Sequence, residues 1–314
     1  MKQGAVRSDY LDWLAEALPA AGRIPPLPDG DAVVGYATGY DAADIAPFVR
    51  SLRAVFSGPV ALVVDDEPDL RTFLAAHDII AVNAPIWRGW APHPVMQRFV
   101  AFAGLLGERP GAALACDVRD VIFQAPPFKP APQGLEAFVE AEAPLREHGF
   151  NMKYLRAVFG EGLAADLAGK ACLCVGTIVG PRADIARLSR LILSLAAAPR
   201  SEIGGAFGAD QASFNMAVHQ GLVAATVQAN YGRVATLGLT PGQSLSFKDD
   251  KVVNPDGGVS PIVHQHDRHP HLDAAVHALW GGGMEHRKRV RPKSVSQKVE
   301  KLKSSLRRRT PELR

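Results

Sequence analysis

From residue 32 onward, short fully apolar runs alternate with stretches in which apolar positions recur at helical spacing. AVVGYA reads as a strand, residues 43–56 as an amphipathic helix and PVALVV as a second strand. A third unit follows as a helix over 68–76 and the strand DIIAV, then a helix over 94–106 and the buried strand GAALAC running into DVRD. Apolar strands alternating with helices predict an α/β fold whose mixed, mainly parallel sheet is covered by helices on both faces in a single domain. Ligand chemistry is then expected at the carboxyl ends of the strands.

The pattern is less regular beyond Asp120. A proline-rich stretch over 125–132 precedes helical segments around 152–167, a strand and turn at ACLCVGTIVG, a strongly periodic helix over 183–197 and a shorter one over 210–219. The last short strands fall near 222–227, 251–253 and 261–264. At the other end, Ser8 can cap a helix in which Tyr10, Leu11, Leu14, Ala17 and Leu18 recur, and the prolines of 25–31 break the chain after it. The expected organisation is an N-terminal helix and linker over 1–30 as an appendage, a main domain over 31–283 and a tail over 284–314.

Composition changes this picture in two places. The tail holds twelve Lys/Arg against three Glu from Glu285 to Arg314, so it carries +9 and leaves −6 on the rest of a chain whose total is +3. Such a tail suits an anionic membrane surface, at about 1 kcal/mol per basic residue near it, or is a solvated terminus. No charged segment followed by an uninterrupted apolar run opens the chain, and no stretch approaches the roughly 20 apolar residues that span a bilayer. A cytoplasmic protein, peripheral at most on the inner face of a membrane, is therefore expected. Cys116, Cys172 and Cys174 lack zinc-ligand spacing and read as reduced, buried thiols.

Candidate chemistry concentrates in LACDVRDVIFQAPPF, where a buried strand ends in two carboxylates, Asp117 and Asp120, with Arg119 between them. Carboxylates at a strand end can hold Mg²⁺ or Mn²⁺ while leaving positions for phosphate oxygens, and Arg119 can pair with Asp120 or contact phosphate. An ion pair closing the strand is the plainer alternative. PIVHQHDRHPHL places four histidines within eight residues. His264 directly follows the strand, and His266 points the same way if the strand continues. Gln211 and Asn215 in GADQASFNMAVHQG share one helix face, and Asp210 stands at that helix's start, where it can act as a cap.

These segments resemble the GT-A nucleotide-sugar transferases, whose signature is a DxD motif after a hydrophobic strand. Asp117 matches the first Asp, while Arg119 stands at the second and Asp120 lies one residue beyond. The DxRD form followed by Phe-Gln and Pro-Phe is similar to a group of glycosyltransferases reading approximately DxRDVxFQxxPF. GYATGYDAADIAPFVRSL resembles the opening strand, loop and helix of family 8 (glycogenin-like) transferases, with Thr38 and Tyr40 flanking the nucleobase and Ser51 and Leu52 ending the helix. GADQASFNMAVHQG resembles their DQxxxN helix start, and CVGT, from Cys174 to Thr177, their small-residue turn with Gly176 at the donor sugar.

The resemblance covers about Ala32 to His271. It implies a GT-A fold and transfer of a sugar from a nucleoside-diphosphate sugar, UDP-sugar foremost, to a carbohydrate or glycolipid hydroxyl. Metal would be held by Asp117, Asp120, His264 and His266. Nucleotide-sugar contacts would come from Thr38, Tyr40, Arg98, Arg119, Gly176, Thr177, Asn215 and Arg268. Asp210 and Gln211 would act at the sugar. Nucleic acid is not expected as a partner. Two other classes stay open: a metal-dependent phosphohydrolase or nuclease using Asp117, Asp120 and the histidines, and a non-catalytic nucleotide-sugar-binding protein, motivated by Arg119 in place of the second Asp.

Overall fold

The structure, a computed structural model, describes residues 8–197 and 205–284; the basic tail lies outside them. Its centre is a seven-stranded sheet in the order β3-β2-β1-β4-β7-β6-β8. The first four strands, β1 (Ala32–Tyr36), β2 (Val60–Val64), β3 (Ile80–Asn83) and β4 (Ala112–Cys116), are all parallel. β7 (Ala171–Pro181) runs antiparallel to β4 and to β6 (Leu135–Pro144), and β6 pairs in parallel with β8 (Ala225–Gln228). The molecule is thus α/β with a mostly parallel mixed sheet.

Alternation along β1, β2 and β4 sorts residues to two helical layers. Val34, Ala61, Val63, Ala113 and Ala115 pack with α1 (Asp9–Ala21), α4 (Pro94–Leu106), α7 (Arg182–Ala196), α5 (Gly149–Phe159), α6 (Glu161–Leu167) and α8 (Ala209–His219). Val33, Val60, Leu62, Val64 and Leu114 pack with α2 (Ala42–Val55) and α3 (Pro68–Ala75). Because both faces are covered, the central strands need no polar alternation, which is why they read as continuous apolar runs.

Three features depart from the sequence reading. The N-terminal helix is built into the main core: Tyr10, Trp13, Leu14, Ala17 and Ala21 are buried against α4 and α7, and the Tyr10 hydroxyl donates to the Leu193 carbonyl at 2.9 Å. β6, a ten-residue strand, lies in what reads as irregular sequence, since LEAFVEAEAP interleaves glutamates with apolar residues. Glu136 is buried there because Arg233 pairs with it at 2.7 Å. Finally, residues after the histidine cluster form the helix α9 (Pro270–Trp280), an element not predicted in this last part of the main domain.

A smaller sheet, in the order β5-β12-β9, is made of β5 (Val121–Phe123), β12 (Ile262–His264) and β9 (Val234–Thr236), with α9 packed on it through Leu272 and Val276. A two-stranded ribbon of β10 (Ser246–Lys248) and β11 (Lys251–Val253) completes the strands. No described helix is long and apolar enough to cross a membrane.

Candidate functional site

The chain leaves β1 toward β2 on one side and later returns to place β4 on the other. The carboxyl ends of β1 and β4 therefore flank the point where strand order reverses, the crevice in which open α/β sheets bind ligands. A cleft of about 950 Å³ opens there, bordered by Tyr36, Thr38 and Tyr40 after β1 and by Asp117 to Asp120 after β4.

The turn Asp117-Val118-Arg119-Asp120 carries the chain from the main sheet into β5 of the small one. At its start the Asp117 amide donates to the Gly176 carbonyl at 2.8 Å, and at its end the Asp120 carbonyl accepts from the Gln265 amide at 2.8 Å. β12 pairs antiparallel with β5 and sets His264 opposite Val121, directly beside Asp120. His264 Nε2 lies 3.4 Å from Asp117 Oδ2 and 3.8 Å from Asp120 Oδ1. One ligand atom from each of the three residues falls within 4.8 Å of the others.

The donor set fits a divalent cation: two carboxylates and an imidazole suit Mn²⁺ or Mg²⁺ more than a thiolate-seeking metal. His264 is 1 % exposed, and its Nε2 has no hydrogen-bond partner among the described residues although it faces the two acids. Space for an ion is kept by Gly176, where an added Cβ would collide with the His264 ring and lie 2.7 Å from Asp117 Oδ2. Burial opposes a charge on His264 but is outweighed by Cys174, Asp120 and Asp117, so its pKa stands well above the ordinary imidazole value. Burial likewise opposes ionisation of Asp117, yet Arg98 and His264 bring its pKa down to about 2. For Asp120 burial prevails, with Asp117 and Asp267 adding to it, and the pKa is raised.

Arg98, expected to face nucleotide, instead bridges two acids. It is 4 % exposed, donates through Nη1 to Asp117 Oδ1 and through Nη2 to Asp210 Oδ2 at 2.7 Å. Its charge is consumed inside the cleft wall, and Asp210, 4 % exposed and two positions after the N-cap Gly208, is held by it. Gln211 borders the cleft, but its amide nitrogen donates to Glu140 Oε2 at 2.7 Å and Asn151 Oδ1 at 3.0 Å.

Three of the expected residues do not reach the cleft. Asn215 is buried and bonded both ways to the Leu173 backbone, tying α8 to β7. Thr177 is fully buried in β7, opposite Cys116. His266 is also separate from the acidic cluster. Gln265 takes a left-handed conformation (φ 62°, ψ 32°) that ends β12, so His266 opens a 3-10 turn and lies against Asp273, 3.7 Å away, under α9. The expected two-residue strand repeat stops one residue too early to bring it to Asp117 and Asp120.

On the β1 side of the cleft, Arg119 stacks over Tyr40, with Cζ 5.9 Å from the ring centroid, and donates to Asp267 Oδ2 at 2.7 Å. Arg268 borders the cleft with 56 % of its side chain exposed. The Gly39 amide donates to Asp65 Oδ2 at 2.5 Å, fixing the loop that carries Thr38 and Tyr40. Sequence reasoning overlooked Asp267, Glu140, Phe150 and Phe207, all bordering the cleft. Asp267 lay within the histidine-rich segment and could have been singled out as the partner of a strand-end arginine; the other three carried no local signal. No protein-family model matches the chain, and no curated protein matches it in sequence.

Proposed function

We propose that the protein is a divalent-metal-dependent glycosyltransferase of the GT-A type, moving a sugar from a nucleoside-diphosphate sugar to a hydroxyl acceptor. The observation that carries this reading is the convergence of Asp117, Asp120 and His264 at the strand-order reversal, inside a cleft large enough for a nucleotide-sugar. Asp117, Asp120 and His264 would hold Mn²⁺ or Mg²⁺. The ion, when bound, supplies charge neutralisation to the departing diphosphate.

The chain's own residues divide the remaining work. Tyr40, stiffened by Arg119 on one side, offers a platform at the end of β1, and Thr38 stands beside it. Arg268, paired at 3.7 Å with Asp267 yet largely exposed, is the cation placed to meet diphosphate oxygens. Arg98 fixes Asp117 from behind, so that one metal ligand is oriented before any ligand arrives, and preorganised charge of this kind is the main contribution such a site makes. Asp210, paired with Arg98, acts through that pair as a positioning residue.

Thermal unfolding of the full chain with a panel of UDP-, GDP- and ADP-sugars, each with and without Mn²⁺, tests the proposal. A ligand at a hundredfold excess over Kd stabilises the folded state by about 2.7 kcal/mol, and this shift is expected only with metal present and only while Asp117 is intact. The same shift in Asp117→Ala, or none for any sugar nucleotide in the wild type, would overturn the reading.

A further inference from the structure

Away from the metal cluster, the cleft continues between the start of α5 and the start of α8. Phe150 and Phe207 form its wall and remain 49 % and 53 % exposed. Their rings lie 5.8 Å apart at 60°, and His93, the N-cap of α4, meets Phe207 edge-on at 5.3 Å. This close packing depends on Gly208 (φ +95°), where a Cβ would sit 2.7 Å from Tyr154 and 3.0 Å from Phe150. Two large aromatic side chains exposed side by side inside a polar cleft are an apolar surface kept available.

Glu140, from β6, borders the same cleft. Its Oε2 is engaged, accepting from Gln211 Nε2 at 2.7 Å and from the Cys172 thiol at 3.4 Å, whereas Oε1 takes no bond among the described residues. Gln211 spends both amide hydrogens, on Glu140 and on Asn151, and so holds the carboxylate in one orientation. Gln211 also follows Asp210, which Arg98 ties to Asp117. The oriented carboxylate is therefore linked through one chain position to the metal cluster.

We propose that this lobe is the acceptor subsite and takes a carbohydrate, one face of the sugar ring lying on Phe150 and Phe207 while a ring hydroxyl donates to Glu140 Oε1. A pyranose presents that combination, a C–H face bordered by hydroxyl donors. An aliphatic chain would leave the carboxylate desolvated without a donor, which is costly. The assignment rests on the reading of the cleft as a glycosyl-transfer site.

Saturation-transfer NMR on the full chain, using methyl glycosides of glucose, galactose, mannose and N-acetylglucosamine and, separately, octanoate, tests it. At least one glycoside is expected to bind, with affinity falling about fivefold in Phe150→Ala, Phe207→Ala and Glu140→Gln. UDP-sugar binding with Mn²⁺, measured on the same variants, is expected to stay within twofold, which shows that they are folded. Absence of transfer to every glycoside, transfer to octanoate alone, or glycoside affinity unmoved by all three substitutions would each overturn the subsite, even where metal-dependent UDP-sugar binding persists. Glycoside binding that follows the three substitutions in a protein that binds no sugar nucleotide would support a carbohydrate lobe and defeat the transferase reading instead.

Discussion

His264 ends β12 with its imidazole between Asp117 and Asp120 at the floor of the cleft, whereas His266, two residues on, is sealed beneath α9 beside Asp273 and His277. Both are buried histidines with carboxylate neighbours, but they are in opposite electrostatic states. Burial drives the pKa of His266 down to about 4, leaving it neutral, while Cys174 and the two acids around His264 outweigh burial and raise it. Among the described residues, only the first histidine joins a three-ligand group. Histidine and aspartate in proximity do not make a metal site. What sets the two apart is convergence of ligand atoms on a space opening to the cleft, and one left-handed residue, Gln265, decides which histidine has it.

The sharpest way to break the contrast is to remove the countercharge from one side only. Arg98→Met leaves Asp117 and Asp210 without their cation, and urea denaturation should show a loss of about 3–5 kcal/mol; a loss under 1 kcal/mol would mean that the two acids do not depend on it. His264→Ala should lower Mn²⁺ affinity at least about a hundredfold by calorimetry, exceeding the tenfold to hundredfold typical of losing a supporting residue. His266→Leu, by contrast, should leave Mn²⁺ affinity within twofold and raise stability by up to about 1 kcal/mol, because both its ring nitrogens are buried without a hydrogen bond to any described residue. Should His266→Leu abolish metal binding, the separation of the two histidines is wrong. At the turn between the two histidines, Gln265→Val places a β-branched residue at positive φ and should cost about 1–2 kcal/mol by urea denaturation, while the smallest effect belongs to Gln265→Gly, at less than half of that.

How much could be read from the sequence follows from how local each determinant is. β1, β2, β4 and the helices between them sit within a residue or two of the expected positions, because burial on both faces writes an unbroken apolar run into each strand. β6 escaped because Glu136 is neutralised by Arg233, 97 residues away, and no local pattern announces that. The site divides in the same manner. Asp117, Asp120 and His264 stand at strand ends, where a sequence can point to them, and the small sheet brings them together. Arg98 was singled out without its partners, since Asp210 lies 112 positions further on. Asn215 and Thr177 had the right residue types on elements whose rotation only packing fixes, and that rotation turns them inward.

Arg182 is fully buried, and its guanidinium donates to the carbonyls of Leu27, Pro28, Gly30, Leu105 and Leu106, pinning the segment between α1 and β1 to the body of the protein. Leu27 and Arg182 are 155 positions apart. At ribosomal rates of roughly 5–20 residues per second, Leu27 is made on the order of ten to thirty seconds before Arg182. In that interval α4, the first partner of Tyr10, Trp13 and Leu14, is made, whereas α7, which carries the Leu193 carbonyl, is not. The carbonyls of Leu27, Pro28 and Gly30 thus meet their donor only after six of the seven strands of the main sheet have been synthesised.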